Sequence, residues 1–354
     1  MERVIVSDLL KRFGDFTAVD QICFSIRHNE FFSLLGPSGC GKSTTLRCIA
    51  GLEDPDGGLI EIGGRRVFDA DTNIPPNKRL LGMVFQNYAI WPHMTVYENI
   101  SYPLRIAKKD SSEIQKTVTR VMETLGIGTL GHRKPHELSG GQQQRVALGR
   151  SLAMEPNLLL LDEPLSNLDA KLREEMRVEL KTIQERTGTP ILYVTHDQLE
   201  AMALSDRIAI MKDGKILQCA DPLTIYNNPV DRFVFNFIGQ SSSVDCEIIE
   251  EAAQSVRIAV DGQVIEIPRP PQVPAKKEAS LAVRPEDIEL LPYQDAQDVT
   301  LTGQIRIFLF LGNLIEYRVQ LGDSLIQVHS DKSSPYKVGD KVRVHFKKAM
   351  LWER

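Results

Sequence analysis

Residues 36–43, Gly-Pro-Ser-Gly-Cys-Gly-Lys-Ser, constrain this chain more than any other stretch. They follow the apolar run FFSLL (31–35) and precede STTLRCIAG, so the order is buried strand, glycine-rich loop, helix. A nucleoside triphosphate carries several negative charges on closely spaced oxygens. Gly36, Gly39 and Gly41 let the backbone wrap such a group with its N–H bonds turned inward. Pro37, Ser38 and Cys40 complete the wrap, and the helix beginning at Lys42, Ser43 and Thr44 adds the positive end of its dipole. Lys42 offers an ammonium to the β and γ phosphates, and Ser43 a hydroxyl to Mg²⁺.

A second run, LLLL (158–161), ends in Asp162-Glu163. Open α/β sheets bind ligands at the carboxyl ends of their strands, where this run delivers two carboxylates. Asp162 is placed to hold Mg²⁺ through water, and Glu163 to orient or deprotonate an attacking water. A lone strand ending in Asp-Glu is more often an ordinary solvated strand end. Downstream of the phosphate loop, it indicates a P-loop NTPase.

The stretch Leu138-Ser-Gly-Gly-Gln-Gln-Gln-Arg145 narrows the class. Ser139 and Gln142 have the spacing of a capping box, so a helix starts here, and Gly140 and Gly141 allow close backbone approach. A glycine-capped helix start and a second phosphate surface are equally compatible with the spacing. Leu138–Gln142 resembles the LSGGQ signature of the ATP-binding cassette (ABC) ATPases, and the other motifs of that family follow in the expected order. The resemblance covers essentially the whole chain, with no departure at a motif position. It implies that Phe13 stacks on adenine. It also implies that Gln86, in GMVFQ, senses the γ-phosphate and Mg²⁺, and that Ser166–Asp169 cross a dimer interface. His196 is the implied switch histidine on the γ-phosphate. In the implied mechanism two copies, or a copy and a paralogue, close on ATP. Lys42, Ser43, Asp162, Glu163 and His196 of one then face Ser139–Gln142 of the other. Residues 87–154 would form a helical subdomain that receives transmembrane permease subunits, with 87–100 lining the groove. Tyr88, Trp91 and Tyr97 of that segment fit either partner contact or core.

The chain has 354 residues, 25% of them charged, with a net charge of −5, so no basic surplus points to nucleic acid. The first 14 residues mix charged and apolar types, and no apolar run approaches the ~20 residues of a membrane span. A soluble protein in a reducing cytosol is expected, peripheral to the cell membrane through its partners. Cys23, Cys40, Cys48, Cys219 and Cys246 have neither disulfide nor metal spacing and read as buried small hydrophobes. Residues 1–240 read as the α/β ATPase, with a largely parallel sheet. Helices are expected from a Ser112–Gln115 capping box to Gly126 and over Leu172–Ile183 to Gly188, with a hairpin turn at Lys212–Gly214. After the Gln240–Ser243 linker, residues 241–354 read as a small β-domain. LAVRPEDIEL (281–290) and GNLIEYRVQLGD (312–323) resemble the OB-like TOBE domain of importer ATPases. That implies uptake of a sugar, ferric iron, polyamine, sulfate or phosphonate, with a solute-binding protein further upstream. Trp91 leans toward the iron or phosphonate types. The competing expectations are an exporter or soluble ABC protein, and a cassette that binds ATP without turnover; Glu163 and His196 speak against the last.

Overall fold

The computed structural model describes residues 2–293 and 301–354. The chain divides between Ile225 and Tyr226 into two compact units. In the first, β1 (Glu2–Phe13) and β2 (Phe16–Arg27) form a long hairpin, and β3 (Phe31–Leu35) runs into α1 (Lys42–Ala50). β4 (Gly57–Ile62) and β5 (Arg65–Phe68) extend the hairpin into an antiparallel sheet of order β2-β1-β4-β5. After β6 (Leu81–Val84) come three helices: α2 (Val96–Ile106), α3 (Ser111–Thr124) and α4 (Gly140–Leu152). Then follow β7 (Leu158–Asp162), α5 (Ala170–Thr187), β8 (Ile191–Thr195), α6 (Gln198–Leu204), β9 (Arg207–Lys212), β10 (Lys215–Ala220) and α7 (Pro222–Asn227). The second sheet has the order β10-β9-β3-β8-β7-β6 and is parallel except for β10.

Strands β3 and β8 are buried along their whole length and β7 along all but its last residue, as expected of central strands covered on both faces. Alternation of side chains sends Leu159, Leu161, Ile191 and Tyr193 into a core shared with the helices. Leu158, Leu160, Leu192 and Val194 enter a second core against the antiparallel sheet. That sheet has no counterpart in the sequence reading. Register shifts along β1, with Asp8 and Gln21 in the left-handed region, break the period-two pattern that marks strands.

The expected capping box at Ser112 and Gln115 is not formed. Asp110 takes the extended backbone of an N-cap, which puts Ser112 inside the first turn, where its hydroxyl cannot cap the helix. The helices toward Gly126 and Gly188 and the Asp213-Gly214 turn lie where the spacing put them. Cys23 is exposed, against the expectation for the cysteines, because it points outward from β2.

The second unit begins with α8 (Arg232–Phe237) and β11 (Ser242–Glu251). β12 (Ser255–Val260), β13 (Gln263–Pro268), β14 (Glu278–Val283), β15 (Ile288–Pro292) and β16 (Leu301–Phe310) follow. β17 (Ile315–Leu321), β18 (Ser324–Ser330), β19 (Lys341–Phe346) and β20 (Met350–Glu353) complete it. Two five-stranded sheets, β13-β12-β11-β14-β20 and β15-β19-β16-β17-β18, enclose one apolar core. Residues 226–240, assigned from sequence to the ATPase part, pack within this unit because of Arg284. Its guanidinium, 3% exposed, donates to the carbonyls of Ile238 (2.5 Å), Gln240 (3.4 Å) and Tyr226 (3.3 Å). It lies 3.8 Å from the Tyr226 ring centre and 4.5 Å from that of Phe235. Arg284→Ala leaves three carbonyls without that donor, so thermal or urea unfolding should report a loss of about 3 kcal/mol or more in the C-terminal unit.

Candidate active site

Register brings the site together. Val84 of β6 pairs with Leu161 of β7, Asp162 pairs with Val194 of β8, and Thr195 pairs with Leu35 of β3. Gln86, Asp162, Glu163, His196 and the Gly36 loop therefore leave the sheet along one carboxyl edge. A cleft of about 390 Å³ lined by Arg3, Arg120, Arg186 and Asn157 opens beside Pro156 and Pro190, next to the starts of β7 and β8. It is on the opposite edge from this chemistry, so its size does not locate the site.

The loop is tightly specified. A Cβ on Gly36 would stand 2.3 Å from the Met211 carbonyl oxygen, and one on Gly41 would stand 2.2 Å from that of Ala18. Gly41 also has φ 104°, a conformation for glycine. The Cys40 carbonyl accepts the Gly214 amide at 3.2 Å, which ties the loop to the β9–β10 turn. Lys42 is 5% exposed, and its Nζ donates to the carbonyls of Gly36 (2.8 Å) and Pro37 (2.9 Å). Burial pushes the Cys40 thiol up, against the pull of the nearby Lys42 ammonium, so it is held protonated.

Ser43 Oγ donates to Asp162 Oδ1 at 2.9 Å. Burial raises the Asp162 carboxyl above its ordinary value, and the Ser43 bond and the Arg47 and Lys42 charges only partly offset it. A hydroxyl and a desolvated carboxylate side by side, next to a loop of amides and an ammonium, fit a triphosphate with a divalent cation. Glu163 has φ 46°, unusual for a non-glycine residue, and its Oε1 is 3.0 Å from His196 Nδ1. Gln86 Nε2 donates to Ser166 Oγ at 3.2 Å, and Ser166 Oγ donates to the Glu163 carbonyl at 2.8 Å. Asn167 Nδ2 donates to the Gln86 carbonyl at 2.8 Å. Gln86, Ser166, Glu163 and His196 thus form one connected chain. Ser166 and Asn167 were read from sequence only as interface residues; their links to Gln86, some 80 residues away, leave no local signal.

Ser139 caps α4 as its spacing predicted: its Oγ accepts the Gln142 amide at 3.3 Å, and Gln142 Oε1 accepts the Ser139 amide at 3.0 Å. Gly140 lies against the segment after Glu163, since a Cβ there would stand 3.2 Å from Leu168. Among the described residues no hydrogen bond joins Ser139–Gln142 to the phosphate loop of the same chain. Phe13, at the end of β1, is 48% exposed with the Lys11 ammonium 5.1 Å from its ring centre. Tyr88 is a core residue at 6% exposure, and Trp91 is half-buried between Tyr102 and Arg150.

Residues 19–166 match the family described as ABC transporter, and residues 281–352 the TOBE domain. The spermidine/putrescine import ATP-binding protein PotA of Nitrosomonas eutropha is 41% identical over 95% of this chain and 94% of its own length. The chain belongs to the ABC transporter family. It is an ATP-hydrolysing, nucleotide-binding subunit of that family, with a TOBE domain at its C-terminal end. The Fe(3+) ions import ATP-binding protein FbpC of Brucella suis is 43% identical over 90% of this chain and 87% of its own. The structure of cbiO1 from Clostridium perfringens, part of the ABC transporter complex cbiONQ, is 28% identical with a TM-score of 0.60. It covers 64% of this chain and 92% of its own. No helix among the described residues is long and apolar enough to cross a membrane.

The raised Asp162 carboxyl couples stability to pH. The folded state holds its proton to higher pH than the unfolded state, so stability falls as pH rises from the ordinary carboxylate value through the raised one. Asp162→Asn keeps the acceptor for Ser43 and removes the buried charge. It should raise the melting temperature of the nucleotide-free protein at neutral pH, flatten that acid-range dependence and abolish Mg²⁺-dependent ATP hydrolysis, all measurable by calorimetry and phosphate release.

Proposed function

We propose that this chain is the ATPase of a solute importer, working at the cytoplasmic face of the membrane as one half of a nucleotide-sandwich dimer. The observation that carries the reading is the Glu163–His196 contact at 3.0 Å, on the same strand edge as the buried Lys42 ammonium and the Ser43–Asp162 pair. Gly36–Thr44 hold the phosphates through backbone amides, Lys42 matches their charge, and Phe13 stacks on the adenine. Ser43, Asp162 and Gln86 are the residues that would hold Mg²⁺, which would supply charge stabilisation to the γ-phosphate oxygens. Glu163 is the general base that orients the attacking water. His196 contacts the γ-phosphate and, through its Nδ1, fixes the Glu163 carboxylate.

Ser139–Gln142 act in trans, on nucleotide bound by the partner. In support, the capping box takes up the Ser139 and Gln142 amides, and among the described residues no hydrogen bond takes up those of Gly140 and Gly141 at the helix start. The partner is a second copy or a paralogue. Permease subunits dock on the helical region 87–154, and a solute-binding protein supplies the cargo. Import is favoured over export, or over a soluble ABC protein, by the TOBE domain and by relatives named for import along nearly their full length. Those relatives name a polyamine and ferric iron at similar identity, so the solute class stays among sugar, ferric iron, polyamine, sulfate and phosphonate.

Glu163→Gln keeps the shape of the site and removes its base. Phosphate release should fall by about 10²–10⁴-fold while ATP still binds. Lys42→Ala should instead weaken ATP binding itself, because a phosphate charge then goes unmatched. Equal turnover in wild type and Glu163→Gln contradicts the catalytic assignment; equal inactivity of both, with permeases supplied, favours a cassette that only binds ATP.

A further inference from the structure

Beneath the segment that carries His196 lies a buried carboxylate that the chemistry above does not use. Glu200, in α6, is 3% exposed. Its Oε2 accepts hydrogen bonds from the Tyr193 hydroxyl and from Thr195 Oγ1, both at 2.7 Å. Burial, and then the adjoining Glu200, hold the Tyr193 hydroxyl well above its ordinary value, so it is a permanent donor. Thr195 Oγ1 in turn accepts the Asp197 amide at 3.0 Å, and Asp197 Oδ1 caps α6 by accepting the Glu200 amide at 3.1 Å. The backbone is therefore pinned on both sides of His196.

Arg173, in the first turn of α5, faces this cluster from the other side. One of its terminal nitrogens donates to the Leu168 carbonyl at 3.1 Å. The other stands 3.7 Å from Asp197 Oδ2. Its Nε is buried without a hydrogen-bond partner, 4.0 Å from Glu200 Oε1. Leu168 belongs to the same loop as Ser166, whose hydroxyl holds the Glu163 carbonyl. One planar fork thus spans the loop behind Glu163 and the turn behind His196, a task that the single ammonium of a lysine cannot match. The Nε contact is about 1 Å too long for a hydrogen bond, so a small shift of either loop changes the grip on the other.

We infer that Arg173 and Glu200 are positioning residues that hold the Glu163 loop and the His196 turn in register, and so keep the Glu163–His196 pair assembled. Neither touches the nucleotide site; both act through that pair, and the inference rests on the catalytic reading of Glu163 and His196. Its consequence is a defect confined to turnover. A misplacement of about 1 Å at a reacting group lowers rate by up to about 100-fold without weakening ground-state binding.

The test is steady-state ATP hydrolysis by the full-length chain carrying Arg173→Ala, Arg173→Lys, Glu200→Gln or His196→Ala, and by the Arg173→Ala/His196→Ala double variant, beside wild type and Glu163→Gln. Arg173→Ala and Glu200→Gln should lower kcat by about 10- to 100-fold with KM for ATP within about twofold. Arg173→Lys should not restore the rate, since charge alone is not the requirement. In the double variant, loss of Arg173 should add nothing to the defect of His196→Ala, because both remove one function. Unchanged kcat in Arg173→Lys and Glu200→Gln, which preserve bulk and fold, overturns the inference. So do losses that multiply in the double variant, or a lowered melting temperature with normal kcat per folded molecule. If Glu163→Gln turns over like wild type, the catalytic reading fails instead.

Discussion

Lys42 carries a positive charge to a place almost closed to water, and the loop around it has to compensate that charge until a phosphate does. The compensation comes from the carbonyls of Gly36 and Pro37. Those carbonyls point inward only because the loop is pressed between the Met211 and Ala18 backbones, with no room for a Cβ at Gly36 or Gly41. Met211 lies in β9 and Ala18 in β2, so both sheets of the N-terminal unit wall the loop. Alternate residues of β3, β7 and β8 pack that sheet pair face to face in one core.

From that frame, catalytic geometry is a matter of strand register. Parallel neighbours ending within a residue of each other place an ammonium, a hydroxyl–carboxylate pair, a second carboxylate and an imidazole along one edge. The left-handed backbone at Glu163, which costs about 1–2 kcal/mol, is held by the Ser166 hydroxyl and by its own amide on the Val194 carbonyl. Glu163 is held at its amide, its carbonyl and its carboxylate, while Gln86 is tied to the same loop through Ser166 and Asn167.

The sequence makes the nucleotide core legible where function and burial both leave dense local patterns. FFSLL, LLLL and ILYV are strands because no polar residue other than a serine interrupts them, and Gly36–Ser43 stands out because Gly36, Gly41, Lys42 and Ser43 fill the four constrained positions of a phosphate loop between a strand and a helix. Ser139 and Gln142 pair as their spacing predicts, whereas Ser112 and Gln115 have the same spacing and do not pair, because Asp110 occupies the N-cap position. The antiparallel sheet stayed hidden behind the bulges of β1. The Gln86–Ser166 and Arg173–Glu200 contacts stayed hidden because they join residues on different elements, and no spacing rule encodes them. In the C-terminal unit, the Arg284 of LAVRPEDIEL was part of a recognisable pattern, but its gathering of residues 226–240 was not.

Whether a second protomer completes this site is read directly from the oligomeric state of the nucleotide-bound protein. The direct measurement is small-angle scattering, or sedimentation, of Glu163→Gln with and without ATP and Mg²⁺. Nucleotide should convert the protein to a closed dimer, and blocking the Ser139–Gln142 helix start with Ser139→Arg should prevent the conversion. A protein that binds ATP and stays monomeric, alone and with its permeases, would contradict completion of the site by a second protomer.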